Sequence, residues 1–232
     1  MSNVRENPSL NERINDFVQK NRKPIFVSLG LIILLLVGFV ATISILDVVR
    51  KKAISEVEEL SRRYDPLRFA EESESRTADI DALLGDLTSL AKRTSGYAGA
   101  RAWAAIADIQ GNRKAWAEVE SAWINAGKAS AKTYLGPIAW YNAGVAAEEQ
   151  GKTAEAIEHY TQSLSLSAVF PAAPRVQFSI GRLQEALSDD AAAIEAYRAV
   201  ISGWSYDTVW PNLARSRIIA LEARAGYTAS TE

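Results

Sequence analysis

The chain has 232 residues, 48% of them hydrophobic, and its 26 basic and 28 acidic side chains leave a net charge of −2. That size fits one folded domain with an appendage, and the near-balance of charge argues against nucleic acid as a partner, because phosphate neutralisation needs a basic surface. The absence of cysteine excludes disulfides, Fe–S clusters and thiolate zinc sites.

Residues 1–24 read as a short tail, with Arg5, Arg13, Lys20, Arg22 and Lys23 as its cations. From Pro24 to Leu46, "PIFVSLGLIILLLVGFVATISIL", no residue is charged. As a helix, Ile25 to Leu46 is about 33 Å long, enough to cross a hydrocarbon core of about 30 Å. A cleaved signal has a shorter apolar core, of roughly 7–15 residues, and a small-x-small cleavage site. Neither feature is present, so we read residues 25–46 as one uncleaved transmembrane helix in contact with the lipid bilayer. Gly38 and Thr42 form a single small-xxx-small pair, too little to imply helix dimerisation. Lys20, Arg22 and Lys23 nearly balance Arg50, Lys51 and Lys52 across the span, so the positive-inside count is close to tied. Long domains translocate largely regardless of charge. For a bacterial chain this favours a single-pass inner-membrane protein with its N-terminus in the cytoplasm and the rest in the periplasm.

Residues 47–95 read as a helical stalk. In "DVVRKKAISEVEELSRRY", Ile54, Val57, Leu60 and Tyr64 share one stripe, and Asp65-Pro66 is expected to interrupt the helix. "EESESRTAD" reads as a polar loop. "IDALLGDLTSLAKR" gathers Ile80, Leu83, Leu84, Leu87, Leu90 and Ala91 on one face, which must pack on something. The candidates are the open edge of the domain that follows, which we favour, and a helix of a partner protein.

Residues 96–225 hold a repeat. "PIAWYNAGVAAEEQGKTAEAIEHYTQSLSL", Pro137 to Leu166, carries two helix-period runs separated by Gln150-Gly151-Lys152, and glycine commonly stands just past a helix end. Pro137, Gly144, Glu148, Ala156, Ile157 and Tyr160 recur as Pro174, Gly181, Glu185, Ala193, Ile194 and Tyr197, all shifted by 37 positions. The same shift carries Pro174 to Pro211 and Glu185 to Glu222. An earlier copy is read in "NRKAWAEVESAW", with Ala115, Val119 and Ala122 matched to Ala156, Tyr160 and Ser163 at an offset of 41. "YAGARAWAAIADI" would be its leading helix. "PNLARSRIIALEA" lacks a trailing partner and reads as a capping helix, and residues 226–232 read as a flexible tail. Gly144 and Ala156 are small enough to let paired helices approach closely, and Tyr160 is expected to fill space toward the next hairpin.

The order W-x2-A-G-x2-A followed by A-x3-Y, with Trp140, Gly144, Ala156 and Tyr160 at the key positions, resembles the tetratricopeptide repeat. Gln177 stands for the tryptophan in the next copy, and the closing proline is displaced to Pro171. The resemblance implies a short α-solenoid of tetratricopeptide-like hairpins with a C-terminal cap, so that with the transmembrane helix and the helical stalk the chain reads as all-α. It also implies a concave face built from leading helices, bearing Ile138, Tyr141, Asn142, Val145 and Glu148 in one copy and Arg175, Phe178, Ser179, Arg182 and Glu185 in the next. Tyr141, Asn142, Val145, Arg175, Phe178 and Arg182 are the candidate protein-binding groove, with the rings of Tyr141 and Phe178 expected side by side. The mixture suits an apolar segment bearing a carboxylate.

The whole architecture is similar to that of the YfgM-type membrane-anchored tetratricopeptide proteins. That similarity implies an adaptor beside the bacterial protein-export channel that assists periplasmic chaperones, with a protein partner held by the concave face or the stalk. The alternative is a permanent structural subunit of an envelope or membrane complex.

No catalytic motif stands out. There is no nucleophile elbow, P-loop or dinucleotide glycine pattern. His159 is the only histidine, with no second ligand to complete a zinc site, and it is expected on an outward, solvated face. Glu148-Glu149 and Asp189-Asp190 read as solvated charges, since adjacent helical residues do not share a face. The expectation is a non-enzymatic protein with no cofactor, no metal and no small-molecule substrate.

Overall fold

The computed structural model describes residues 10–167 and 169–229. Arg5 with the rest of the first nine residues, and residues 230–232, lie outside the described residues. The helices run in chain order as α1 (Leu10–Lys20), α2 (Arg22–Phe69), α3 (Glu74–Arg93), α4 (Gly96–Asn112), α5 (Trp116–Ala129), α6 (Leu135–Glu149), α7 (Thr153–Leu166), α8 (Ala173–Ala186), α9 (Asp190–Gly203) and α10 (Trp210–Ala229). No strand interrupts them among the described residues. The chain divides into two compact units, Met1–Lys52 and Ala53–Glu232.

In the first unit, the large apolar side chains from Phe26 to Leu46 are exposed. One helix among the described residues, α2, is long and apolar enough to cross a membrane.

The second unit begins where α2 starts to bury side chains. Val57, Leu60 and Tyr64 join Ile80, Leu83, Leu87 and Leu90 of α3 and Ala102, Ile106 and Ile109 of α4 in one core. The apolar face of α3 is therefore occupied within the chain. The expected break at Asp65-Pro66 is absent, because α2 runs through Pro66 to Phe69. Proline there removes the bond its N–H would have made to the Arg62 carbonyl, and the helix ends within one further turn, at Phe69. The helix stops where Arg76 supplies donors from its side chain, Nε to the Leu67 carbonyl at 2.6 Å and Nη2 to the Arg68 carbonyl at 3.5 Å. Ser73 then caps α3, its Oγ accepting from Arg76 N at 3.1 Å.

Beyond α3 the helices pair as α4/α5, α6/α7 and α8/α9, with α10 last. Each hairpin turns in the same way. Lys114, Gly151 and Ser188 have φ of 57°, 72° and 62°. The N–H that follows each of them reaches back to the carbonyls of Gln110, Ala147 and Gln184, each at 3.0 Å. These helix-ending bonds satisfy carbonyls the last turn would otherwise orphan. Only the second copy places glycine at the left-handed position, where a side chain is otherwise strained.

These turns correct the register of the first copy. Lys114, Gly151 and Ser188 are spaced by 37, as are the starts of the trailing helices at Trp116, Thr153 and Asp190. Trp103, Ala107, Val119 and Trp123 therefore stand at the positions of Trp140, Gly144, Ala156 and Tyr160. The offset of 41 is one helical turn too long. A one-turn slip leaves apolar residues on the same helix face, so periodicity does not detect it.

Within hairpins, small residues lie beneath rings. A Cβ on Gly181 would come within 2.6 Å of the Tyr197 ring, and Gly144 meets Tyr160 in the same way. Tyr160 also joins Ala173 and Val176 of α8 in one cluster, so its ring fills the space toward the next hairpin. Ala214 and Leu221 of α10 bury against Tyr197 and Val200 of α9. α10 continues to Ala229, past the boundary expected at residue 225.

Candidate protein-binding groove

The leading helices α6 and α8 carry the candidate groove residues. The structure distributes these residues over three places. Asn142 and Val145 of α6 line a groove of about 300 Å³ facing α4, floored by Trp116, Val119 and Trp123 of α5, with Asp108 and Arg68 also in its wall. Tyr141 points the other way along the stack. Its ring stacks on Tyr160 at 5.9 Å, and the Arg175 guanidinium of α8 lies 5.7 Å from its centroid. Phe178 and Arg182 line a further groove of about 440 Å³ with Glu185, Tyr197, Arg217 and Arg224.

The expectation that Tyr141 and Phe178 sit side by side is not met. Phe178 packs against Tyr197 at 5.1 Å and Trp210 at 5.5 Å, in the cluster of α9 and α10. Tyr141 belongs to the preceding cluster. Each ring packs against the tyrosine of its own hairpin, Tyr141 stacked and Phe178 tilted, and that intra-hairpin contact outcompetes the one between copies. Two tyrosines one repeat apart do meet, at the start of the leading helices. Tyr97 and Tyr134 have centroids 6.0 Å apart and hydroxyls 3.2 Å apart.

A polar ladder runs across the leading helices α6, α8 and α10. Glu148 accepts from the Tyr160 hydroxyl and from Arg182 of the next leading helix. One repeat on, Glu185 accepts from the Tyr197 hydroxyl at 3.2 Å and from Arg217 Nε at 3.2 Å. Glu148 is thus a partnered charge, unlike the solvated carboxylate read from sequence. Asp189 caps α9 by accepting from Ala192 N at 3.0 Å, and Asp190 pairs with Arg224. Burial, reinforced by the glutamate charge and hydrogen bond, pushes the Tyr197 hydroxyl up to about 12. Burial and then Glu148 raise Tyr160 further. Both rings stay neutral donors at any physiological pH.

Arg175 differs from the arginines Arg101, Arg182 and Arg217 of the leading helices. Arg101, Arg182 and Arg217 each hold a carboxylate, from Glu58, Glu148 and Glu185. Arg175 is exposed, and among the described residues it has no carboxylate partner. It is held by the ring face of Tyr141, a contact that positions a guanidinium and leaves its donors free.

His159 overturns its expectation. It is buried, its Nε2 lies 3.0 Å from Glu120 Oε1, and its ring is 5.6 Å from Trp140. Glu120 also accepts from Gln150 Nε2 at 2.8 Å and Lys152 Nζ at 2.9 Å. Burial works against the Glu120 charge, but the hydrogen bonds from Lys152, His159 and Gln150 outweigh it and hold the carboxyl below its ordinary range. The shift of 37 is the missed signal. It maps His159 onto Ala122 and Ala196, both buried. The same shift maps Trp123 onto Tyr160 and so names the floor of the first groove. No group of three His, Asp or Glu side chains among the described residues is placed to hold a metal ion.

Residues 137–167 match the family model described as tetratricopeptide repeat. A TPR repeat-containing protein of Treponema pallidum (strain Nichols) is 30% identical over 232 residues, covering 92% of this chain and 95% of the relative. Among solved structures, the nearly identical TPR-like repeats of a Podosopora anserina protein described as a kinesin light chain superpose with a TM-score of 0.51 at 12% identity, covering 76% of this chain and 89% of that one. A singly substituted form of the same repeats gives a TM-score of 0.51 over 76% and 88%. At that identity the likeness concerns the fold alone.

Proposed function

Because the chain belongs to the tetratricopeptide repeat family, we propose that it is a membrane-tethered adaptor, holding a protein partner on the inner face of its hairpins. Tetratricopeptide arrays are protein-interaction scaffolds that bind through the surface of successive leading helices. The observation that carries the reading is Arg175, an exposed cation seated on Tyr141 without a carboxylate of its own among the described residues. A partner segment supplying a carboxylate to Arg175 and apolar side chains beside Tyr141, Val145 and Phe178 would satisfy what the face leaves open. Asn142 offers a hydrogen bond to the segment's backbone, and Arg182, once freed from Glu148, offers a second cation.

The tether is residues 25–46, a lipid-spanning helix. The favoured topology is a bacterial inner-membrane protein with a cytoplasmic tail, residues 1–24, and its repeats, residues 96–225, in the periplasm. Residues 47–95 serve as a stalk whose end seals the first hairpin. The likeness to YfgM-type proteins supports a role in protein export or periplasmic chaperoning. A permanent place in an envelope complex is the second reading. It is favoured by the exposed apolar side chains of Tyr206, Val209, Leu213 and Ile219 at the last helix, at 81%, 57%, 44% and 67% exposure, because a solenoid end left apolar invites a neighbour.

The test is recovery of partners on the full chain in mild detergent, identified by mass spectrometry. Arg175→Ala should cut recovery of a carboxylate-bearing partner while leaving the helical circular dichroism intact. Undiminished recovery with Arg175→Ala, but loss with Leu213→Asp and Ile219→Asp, would move the interface to α10 and select the second reading.

A further inference from the structure

The helix α1, "LNERINDFVQK", is unexplained by the adaptor. At about 100° per residue, Leu10, Ile14, Phe17 and Val18 fall on one side of it. All four are exposed, at 78%, 59%, 63% and 46%. Asn15, Asp16 and Gln19 take the opposite side. Arg13 and Lys20 lie along one border of the apolar stripe, where long cationic side chains can keep their stems in an apolar phase and their charges in water. This segregation of apolar, basic and polar sectors is the pattern of helices that lie in a bilayer interface.

What lies next to α1 in the chain identifies its occupant. α2 starts at Arg22, and its uncharged run starts at Pro24. α1 is therefore tethered about one helical turn from the point where the span enters the hydrocarbon, whichever way the span is oriented. The bilayer surface is the nearest apolar phase to four otherwise uncovered side chains. Pro24 has no N–H, so the Lys20 carbonyl lacks the helical partner it would otherwise have. On either side of that missing bond the Asn21 N and Nδ2 donate to the Phe17 carbonyl at 3.0 and 2.9 Å and the Ile25 N donates to the Asn21 carbonyl at 3.0 Å. The junction is therefore weakened at one carbonyl, where proline favours a change of helix direction.

We propose that α1 is an in-plane membrane-surface helix, with Leu10, Ile14, Phe17 and Val18 sunk to the boundary of headgroups and acyl chains and Arg13 and Lys20 at the level of the lipid phosphates. The proposal rests on the reading of residues 25–46 as a lipid-spanning helix. It adds a second, surface-lying lipid contact to that span.

The chain has no cysteine, so single cysteines can carry a polarity-sensitive fluorophore on the full protein. The variants are Ile14→Cys, Phe17→Cys, Asp16→Cys and Leu36→Cys, reconstituted in vesicles of phosphatidylcholine and phosphatidylglycerol whose acyl chains are brominated at shallow or deep positions. Leu36→Cys should be quenched by deep bromines. Ile14→Cys and Phe17→Cys should be quenched several-fold more by shallow bromines than Asp16→Cys. If Leu36→Cys is quenched while the stripe positions behave like Asp16→Cys, the in-plane helix is refuted and the span survives. If Leu36→Cys itself is not quenched, the span is refuted and α1 loses its surface with it. Two stripe positions are labelled so that the loss of any one apolar side chain does not decide the result.

Discussion

Gly181→Ala and Gly85→Ala are the same substitution in two helices, and they should shift stability in opposite directions. Both glycines lie inside helices, where alanine is favoured by about 1 kcal/mol. At Gly85 in α3 an added Cβ meets nothing within 4 Å, so the propensity gain should appear as about 0.5–1 kcal/mol of added stability. At Gly181 the Cβ falls 2.6 Å from the Tyr197 ring. A relaxed carbon–carbon contact is about 3.5–4 Å, so the ring must retreat by roughly 1 Å. It is poorly placed to do so, because Phe178 packs on it at 5.1 Å and its hydroxyl is bonded to Glu185 at 3.2 Å. Overpacking of this kind costs about 1–3 kcal/mol. After the propensity gain, a net loss of up to about 2 kcal/mol remains. For a unit of this size that is a fall in Tm of up to about 8 °C, read by thermal unfolding of the fragment from Ala53 onward. That start keeps Val57, Leu60 and Tyr64, which belong to the core. If Gly181→Ala melts at or above the parent, as Gly85→Ala should, the ring does not lie on the glycine and the hairpin packing described above is wrong.

Further expectations concern turns and buried charges. Lys114→Gly and Ser188→Gly relieve left-handed strain at φ of 57° and 62°. Each should add about 0.5–1 kcal/mol, nearly additively because the turns are separate, as read by urea midpoints. A lack of stabilisation by either would mean those turns are not left-handed in solution. Glu120, held below its ordinary range, contributes stability that is present above the unfolded carboxylate pKa of about 4.5 and lost as pH falls through the lowered value. Acid unfolding should therefore steepen below about pH 4.5, and Glu120→Gln should flatten that part of the pH–stability curve. Tyr197, raised to about 12, contributes stability that is whole below about pH 10 and lost as pH rises through the folded value. Tyr197→Phe should remove much of the alkaline loss, measured by circular dichroism against pH. An unchanged profile would place the Tyr197 hydroxyl in water.

The sequence by itself determined what depends on short-range pattern. The uncharged run from Pro24 to Leu46, the hairpins, the shift of 37 and the small residues Gly144 and Ala156 between paired helices are all visible within a few helical turns. Each is set by local hydrophobic period, helix-end chemistry and side-chain size. What only the tertiary structure decided lies between elements. Periodicity misplaces the first copy by one turn, because a slip of four residues keeps every apolar side chain on its face. The tight turns at Lys114 and Ser188, which fix the true spacing, are not marked by glycine. His159 reads as solvated in the sequence because its burial depends on Glu120, thirty-nine residues away on another hairpin. Tyr141 and Phe178 share a repeat position yet pack in different clusters. A leading helix touches its trailing partner and both neighbouring hairpins at once, and the angle at which hairpins stack decides which ring meets which. That angle comes from the fit of whole helices, so no single stretch of residues encodes it.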